Sequence, residues 1–392
     1  MTSGATLRVL AVVEAAGGGV GRHVVDLCQG LAGSGHEVHV LYSPRRAEDW
    51  FAAALGDDRK LRRAEIAINR RPGPTDLAAL RAIRRYVMEN GPFDVVHGHS
   101  TKGALGCMAV RAGTAARILT PHALRSLDPR LTAAWRLVYT AVERVLLGYA
   151  DRVIAVSPVE EAHARRIGVD PAKLVTVING LAPAKAPDRR SVRAALGLGD
   201  DQVAIGFVGR LAAQKAPARL LDAFSRVAPS YPNARLVMVG EGPLESGLKS
   251  RSRRLGIDGA IVWAGAANGR EVMAALDIFA LTSAYEAMPY VLLEAAAAAL
   301  PIVVTEVGGA RTVVEPGANG FIVANWDCPD FAARLGALVG EPALRARMAK
   351  ASRARSRSFR YDRMISETVA VYRLAIAKYR KLGDVPSEGG QR

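Results

Sequence analysis

The stretch LRVLAVVEAAGGGVGRHVVDLCQGLAGSGHEVHVLY, residues 7–42, decides the fold of this chain. Its apolar run at 7–13 predicts a buried strand, and the glycines at 17–21 predict a turn. Apolar residues at helical spacing come next, and further glycines end that helix before a second predicted strand at 37–41. A strand, a turn, a helix and a strand in this order form the unit from which parallel sheets are built.

This unit repeats, and the pattern restarts after a predicted linker near 180–200 that is rich in proline, glycine and aspartate. Strands that alternate with helices predict parallel sheets covered on both faces, so we predict an α/β protein of two doubly wound domains. Further strands are predicted at 93–97, 116–120, 152–156 and 174–178, and then at 203–208, 235–239, 261–263, 278–281, 301–305 and 320–323. The predicted segments are a first domain at 1–182, a second domain at 200–358, an amphipathic C-terminal helix at 359–383 and a disordered tail at 384–392.

The composition excludes several classes of protein. The chain of 392 residues is 50% hydrophobic, which suffices for two folded domains and is too apolar for a disordered chain. Its apolar runs are shorter than a membrane-spanning helix requires and no export signal is apparent, so we predict a cytoplasmic protein. The net charge of +16 places a polyanionic partner among the candidates, namely nucleic acid, an anionic membrane surface or a phosphorylated substrate. Because only 6% of the residues are aromatic and no recognition motif is present, we predict no binding of nucleic acid.

A glycine-rich turn and two cations are candidates for binding phosphate. The turn at 17–21 places flexible backbone before a helix, whose first N–H groups and dipole favour an anion. Arg210 and Lys215 follow the predicted strand at 203–208. Arginine supplies a planar fork of donors and lysine supplies a point charge, which together suit a diphosphate. A purely structural turn and a solvated pair of cations are the alternatives that the sequence leaves open.

Two glutamates, Glu286 and Glu294, lie among apolar neighbours. Pro289 can begin a helix, which places Glu286 in the loop before it and Glu294 in its second turn. Buried carboxylates require hydrogen-bond donors, and the hydroxyls of a sugar or a ribose are suitable. A solvated loop acid and an acid on a helix surface are the alternative.

Three of the seven histidines fall at the ends of predicted strands. His97 and His99 share one face of a strand, a spacing that permits a metal pair. No third ligand is apparent near them, so we predict no metal site. His122 follows the strand at 116–120 and is the better candidate for contact with a ligand. A structural histidine whose nitrogens are satisfied in the core is the alternative.

Taken together, these motifs resemble the retaining GT-B glycosyltransferases of family 4. The resemblance spans nearly the whole chain and rests on Gly-Gly-Val at 18–20, Gly-Arg-Leu at 209–211 with Gln-Lys at 214–215, Gly-Glu-Gly-Pro at 240–243, and the E-x7-E signature at 286–294. It implies two Rossmann-like domains that face a central cleft, with a C-terminal helix that crosses back to the first domain. It also implies the transfer of a sugar from a UDP- or GDP-sugar with retention of configuration, without a bound cofactor and without a metal.

The resemblance assigns roles in donor binding to residues of both domains. Those expected to bind the phosphates are Gly18, Gly19, Arg210 and Lys215. Those expected to hold the sugar or the ribose are His122, Glu286 and Glu294, together with the backbone of Met288, Pro289 and Tyr290. The expected catalytic residues are His122, Glu286, Arg210 and Lys215. Cations beside a departing diphosphate stabilise the charge that develops there, so this arrangement lowers the barrier without a metal.

A predicted helix at 131–149 indicates the kind of acceptor. Trp135 belongs to its broad apolar stripe, which Arg136 and Arg144 flank, and such a helix can rest on an anionic inner-membrane surface. The stretch at 95–103 resembles a subgroup that extends polyprenyl-diphosphate-linked saccharides in exopolysaccharide, capsule or lipopolysaccharide assembly. We therefore predict a hexosyltransferase that is peripheral on the inner face of the membrane. An ordinary core helix, and a soluble enzyme acting on a small sugar or sugar-phosphate acceptor, remain open as alternatives.

Overall fold

Alternating strands and helices build two parallel sheets, as the sequence predicts. The computed structural model describes residues 5–56, 60–69, 73–184 and 187–383, with side chains up to residue 377. One unit consists of Met1–Asn179 and Tyr361–Arg392, and the other consists of Gly180–Arg360. The predicted tail at 384–392 lies outside the described residues.

The first unit holds a seven-stranded sheet in the order β3-β2-β1-β4-β5-β6-β7, with every neighbouring pair parallel. Its strands are β1 (Arg8–Val13), β2 (Glu37–Tyr42), β3 (Leu61–Glu65), β4 (Val95–His99), β5 (Ala116–Thr120), β6 (Arg152–Ala155) and β7 (Leu174–Thr176). The helices between them are α1 (Gly18–Gly33), α2 (Asp49–Leu55), α3 (Thr75–Asn90), α4 (Ser100–Ala109), α5 (Ala133–Gly148) and α6 (Pro158–Arg166). The central strands are buried along almost their whole length because helices cover both faces of the sheet.

The second unit holds a six-stranded parallel sheet in the order β10-β9-β8-β11-β12-β13. Its strands are β8 (Val203–Val208), β9 (Ala234–Val239), β10 (Ile261–Gly265), β11 (Ile278–Leu281), β12 (Ile302–Thr305) and β13 (Gly320–Val323). Its helices are α7 (Arg189–Ala195), α8 (Pro217–Val227), α9 (Glu245–Arg254), α10 (Gly269–Val272), α11 (Tyr290–Ala297), α12 (Ala310–Val313), α13 (Cys328–Gly340) and α14 (Pro342–Ser356).

Helix α7 lies where the sequence predicts a linker. Its Arg193 is buried and donates to the carbonyl oxygens of Ala275 and Gln202, at 2.9 and 2.8 Å, so the helix packs onto the second unit. The linker prediction at 180–200 is therefore wrong for this helix, because a stretch rich in polar residues can still be anchored by one buried arginine.

The last helix, α15 (Tyr361–Gly383), belongs to the first unit, as predicted. Met364 and Tyr372 are fully buried in the core that α1 and β1 share. The Tyr361 hydroxyl donates to the Asp26 carbonyl oxygen of α1 at 2.8 Å. The C-terminal helix thus crosses back and completes a core that begins at residue 7.

Both sheets have a switch point, where the chain changes the direction in which it adds strands. It lies between β1 and β4 in the first unit and between β8 and β11 in the second. Ligands of doubly wound folds bind beyond the carboxyl ends of the strands at this place. Among the described residues, no helix is long and apolar enough to span a membrane.

Candidate active site

The glycine turn after β1 begins α1 without a side-chain cap. Gly18 has φ of +52°, a left-handed conformation that favours glycine, and both Gly18 and Gly19 are exposed. A Cβ added to Gly19 would meet no atom within 4 Å, so there is room for a ligand against this backbone. The Gly18 N–H already donates to Glu48 Oε1 at 3.1 Å, so a carboxylate occupies one of the positions predicted for phosphate.

His122 lies in a strained turn after β5. His122 has φ of +57° and Ala123 has φ of +94°, which are unusual values outside glycine. Glu160 holds this turn, because its carboxyl group accepts from the N–H groups of Ala123 at 2.7 Å and Val156 at 2.9 Å. Burial raises the pKa of Glu160 to about 7. Strain that the surroundings maintain in this way is typical of functional sites.

Four histidines cluster around this turn. His122 Nε2 and His99 Nδ1 are 3.2 Å apart, and the ring of His97 lies 4.0 Å from that of His99. His23, from α1, packs edge-on against His122 at 4.6 Å. Burial lowers the pKa of His23 to about 4 and holds the pKa values of His97, His99 and His122 well below the ordinary histidine value. All four rings are therefore neutral near pH 7 and offer both a donor and an acceptor.

The sequence missed His23 as a site residue because it does not lie at the end of a strand. The signal that could have found it is its position in the first two turns of the helix that follows the glycine turn. That position places it beside the end of β4, since β1 and β4 are neighbours in the sheet.

In the second unit, the structure brings Lys215 and Glu286 together. Lys215 Nζ lies 2.7 Å from Glu286 Oε1, and the Ser283 hydroxyl donates to the same oxygen at 2.8 Å. Glu286 is buried, whereas Lys215 keeps part of its side chain exposed. Lys215 follows β8 and Glu286 follows β11, the two strands at the switch point. A cation held by a buried carboxylate is thus presented where a doubly wound fold binds its ligand.

Hydrogen bonds tie the two loops that carry this pair. Ala284 N–H donates to the Gln214 carbonyl oxygen at 2.8 Å, and the Gln214 side-chain amide donates to the Tyr285 carbonyl oxygen at 3.2 Å. The Thr282 hydroxyl donates to the Ala216 carbonyl oxygen at 3.1 Å. These bonds fix the loop after β11 to the turn before α8, so Lys215 and Glu286 keep their spacing.

Gly308 and Gly309 pack closely against the loop that carries Glu286. Sequence reasoning missed both glycines. A Cβ on Gly308 would overlap the carbonyl oxygens of Glu286 and Ala287, and a Cβ on Gly309 would overlap the Met288 side chain. The Gly-Gly pair after β12 is the signal that could have found them, since paired glycines after a strand often mark a close approach of backbone.

The remaining predicted residues of this unit follow the same two strands, β8 and β11. Met288, Pro289 and Tyr290 are buried. Pro289 is the N-cap of α11, and Glu294 lies half-buried in the second turn of that helix, as the sequence predicts. Arg210 is exposed, and its side chain makes no hydrogen bond or ion pair with the described part of the chain.

Comparisons with known proteins assign this chain to a family. Residues 18–180 match the family described as a glycosyl transferase 4-like domain, and residues 188–355 match glycosyl transferases group 1. A D-inositol 3-phosphate glycosyltransferase from Mycobacterium avium (strain 104) is 31% identical over 329 residues, which are 78% of this chain and 76% of that protein. The chain belongs to the group 1 glycosyltransferases. It is accordingly a sugar-nucleotide-dependent glycosyltransferase.

Solved structures identify the fold of this glycosyltransferase. Sucrose-phosphate synthase from Thermosynechococcus elongatus has a TM-score of 0.80 at 20% identity and covers 95% of this chain and 100% of its own. Anabaena Alr3699/HepE in complex with UDP and glucose has a TM-score of 0.79 at 21% identity, over 94% of this chain and 100% of its own. The predicted GT-B fold of two Rossmann-like domains is confirmed.

Proposed function

We propose that this glycosyltransferase moves a hexose from a UDP- or GDP-sugar to a polyprenyl-diphosphate-linked saccharide in exopolysaccharide, capsule or lipopolysaccharide assembly. The proposal includes retention of configuration and a transfer step that requires no metal. The observation that carries it is the exposed apolar face of α5, which a soluble enzyme with a small acceptor does not need.

The donor half of the proposal rests on the Lys215–Glu286 pair. Departure of a nucleoside diphosphate develops negative charge, and a cation already fixed in place stabilises that charge without reorganisation. Arg210, which has no partner of its own in the described chain, supplies a planar second cation for the same group. Two cations in the protein take the part that a divalent metal plays in other transferases.

The sugar and the ribose are assigned to polar groups of both units. We assign Glu286 to hydroxyls of the transferred sugar, Glu294 to the ribose and His122 to the sugar near its anomeric carbon. A neutral imidazole suits a hydroxyl because it donates at one nitrogen and accepts at the other. The backbone of Gly18 and Gly19 is assigned to the distal phosphate of the donor, which would replace the Glu48 carboxylate on the Gly18 N–H.

The acceptor half rests on α5, which is a surface helix and not the core helix that the sequence left open. Its Trp135, Leu137 and Val145 are 58%, 72% and 61% exposed, and Arg136 and Arg144 are exposed on the same helix. An apolar stripe flanked by arginines is suited to the interface of an anionic membrane, where lipid-linked acceptors reside.

The opposite side of α5 is fastened to the protein. Glu143 is buried, and it accepts from the Ser126 hydroxyl at 2.5 Å and from the Arg125 N–H. Leu147 is buried beside it. The helix therefore presents its apolar residues outward in a fixed orientation, on a protein that we place on the inner face of the cell membrane.

A second candidate function has its own support. The relative from Mycobacterium avium is named for D-inositol 3-phosphate, and the structural neighbour from Thermosynechococcus elongatus is a sucrose-phosphate synthase. A small sugar-phosphate or polyol-phosphate acceptor is therefore the alternative, and the same positive charge would serve its phosphate.

Thermal stabilisation by nucleoside diphosphates and sugar nucleotides, with and without EDTA, tests the donor half. A ligand that binds the folded state raises the midpoint of unfolding by an amount that grows with the logarithm of its concentration relative to its Kd. We expect UDP or GDP to raise the midpoint equally with and without the chelator. Glu294→Ala should lose this shift and keep its own midpoint without ligand, whereas a shift that needs a divalent metal contradicts the assignment.

Matched variants test the acceptor half. Leu137→Glu alters the apolar stripe of α5, and Leu374→Glu alters a residue of α15 that is 60% exposed. We expect only the first to weaken binding to vesicles that contain anionic phospholipid and to slow transfer to a polyprenyl-diphosphate-linked acceptor. Equal loss in both variants, or full activity on a water-soluble polyol phosphate alone, favours the second candidate.

A further inference from the structure

A group of three histidines in the first unit has the composition of a transition-metal site. One nitrogen of each of His23, His99 and His122 lies within 4.8 Å of the others. The three come from different elements, namely α1, the end of β4 and the turn after β5. From the sequence, only His97 and His99 could be recognised as a possible metal pair. The fold instead brings His23 and His122 next to His99.

A hydrogen bond orients one of the rings, and another ring has a buried nitrogen without a partner among the described residues. His23 Nδ1 lies 3.0 Å from Asn179 Oδ1. A carboxamide oxygen only accepts, so Nδ1 donates and the lone pair of the neutral ring lies on Nε2. Ligating histidines are commonly oriented through their other nitrogen in this way. His99 Nε2 is buried and has no hydrogen-bond partner among the described residues.

His97 marks the edge of the group. Its Nδ1 bonds to the Tyr372 hydroxyl at 2.7 Å and its Nε2 to the Thr120 hydroxyl at 2.8 Å, so both of its nitrogens are used. Its ring packs against that of His99, with the two planes tilted by 35°. The core thus uses both nitrogens of His97, whereas His99 keeps one buried nitrogen without a partner among the described residues.

The geometry points to a site for one divalent ion of the zinc class, held by His23, His99 and His122. Neutral imidazoles suit zinc, cobalt, nickel and copper, whereas magnesium and calcium require oxygen ligands. Zinc–nitrogen bonds are about 2.0–2.1 Å long, which places tetrahedral ligands roughly 3.4 Å apart. The nitrogens now lie within 4.8 Å of one another, so the widest pair would approach by up to about 1.4 Å through side-chain rotation.

Three protein ligands leave one position of a tetrahedral ion for water or an anionic oxygen. The ion carries two positive charges that the neutral rings do not offset. The Glu160 carboxyl group, which accepts from the N–H next to His122, lies at the same turn.

Cobalt binding to the full-length, untagged protein tests the site directly. Co²⁺ replaces zinc in histidine sites, and when four- or five-coordinate it absorbs visible light much more strongly than hexaaqua cobalt. After EDTA treatment and dialysis, we expect one Co²⁺ per chain with this absorption, and one equivalent of Zn²⁺ should remove it. The measurement needs no sugar nucleotide, so its outcome is separate from that of the proposed function.

Variants distinguish this site from adventitious binding. His23→Gln, His99→Gln and His122→Gln should each weaken Co²⁺ binding about 100-fold or more, while His36→Gln and His163→Gln should bind as the wild type does. His122 lies partly exposed in a turn, so its variant should fold even where a core variant does not. Absence of equimolar binding, or retention of the visible absorption in His122→Gln, overturns the proposal and leaves a hydrogen-bonded cluster.

Discussion

The two units differ in how they make a polar site. All seven histidines lie in the first unit and none in the second, while the second unit presents the Lys215–Glu286 ion pair. Burial lowers the pKa of every one of the seven, so the first unit presents neutral groups. Neutral rings suit hydroxyls or a metal, and fixed charges suit phosphate. One fold, used twice in a chain, thus carries two kinds of chemistry.

We expect the largest effect on activity from removing the positive charge of Lys215 in the second unit. Lys215→Ala should lower kcat by about 100- to 1000-fold, because it removes a cation aimed at developing charge. Steady-state kinetics with the preferred sugar nucleotide measure this loss. Lys249→Ala is the matched control, since Lys249 also pairs with a glutamate at 2.7 Å but lies on the exposed side of α9. Equal kcat in the two variants would remove Lys215 from the mechanism.

We expect the second-largest effect from displacing the loop that carries Glu286 while leaving all charged residues in place. Gly308→Ala forces its Cβ against the Glu286 carbonyl oxygen, which should cost about 1–3 kcal/mol of stability and about 100-fold in kcat/KM.

Gly247→Ala is the control for this substitution. Nothing lies within 4 Å of a Cβ added at Gly247 in α9, so this variant should gain about 0.5–1 kcal/mol. Urea unfolding and kinetics of the pair check both values. A Gly308→Ala enzyme with normal turnover would show that the loop tolerates displacement.

A smaller effect is expected from changing the shape of a cation while keeping its charge. Arg210→Lys should lower kcat/KM about tenfold, because a point charge replaces a planar fork that makes two charge-assisted hydrogen bonds. Arg253→Lys, at an exposed position of α9, should have no effect. Binding of UDP and GDP by calorimetry should show the same order, and unchanged affinity in Arg210→Lys would argue that this side chain stays in solvent.

We expect the smallest effect on the stability of the first unit at acidic pH, through His163. Burial, and secondarily Arg166, lowers the pKa of His163 to about 4, whereas an unfolded chain protonates histidine near 6.5. The unfolded state therefore binds more protons between these values. The stability that this histidine contributes is complete above about pH 6.5 and is lost as the pH falls towards 4.

His163→Gln tests this dependence. An amide can still bond to the Ser126 hydroxyl, which lies 2.6 Å from His163 Nε2, but it does not titrate. We expect the variant to lose less stability than the wild type between pH 7 and 4. Urea unfolding across this range, followed by hydrogen exchange of peptides from α6, measures the difference. Parallel pH profiles would mean that His163 protonates in the native state without cost.

The sequence predicted the sheets well because parallel strands covered on both faces read as plain apolar runs. β3 was missed for the opposite reason. Arg62, Arg63 and Glu65 on this edge strand are polar, and only Leu61 is fully buried, so no apolar run marks it. β3 forms because it pairs with β2, and this pairing cannot be read from the sequence of β3 itself.

The site residues also fall into those that the sequence could identify and those that it could not. Lys215 and Glu286 could be proposed from motifs, because charges beside apolar strands are conspicuous in a sequence. His23 and Gly308 could not, because their importance depends on which strand or loop lies next to them in space. A sequence shows the residue types of a site, while only the register of the sheet shows their neighbours.

The return of α15 to the first unit also has a consequence for synthesis. The second unit is a continuous insertion, and its ends meet, since Leu181 donates from its N–H to the Phe359 carbonyl oxygen at 3.1 Å. A ribosome has released every residue of the second unit before α15 emerges, and domains generally fold as units during synthesis. The unit that is synthesised first therefore completes its folding last. Until α15 is released, the apolar surface around Leu27 and Leu31 stays uncovered, because Met364 and Tyr372 have not yet packed into the same core.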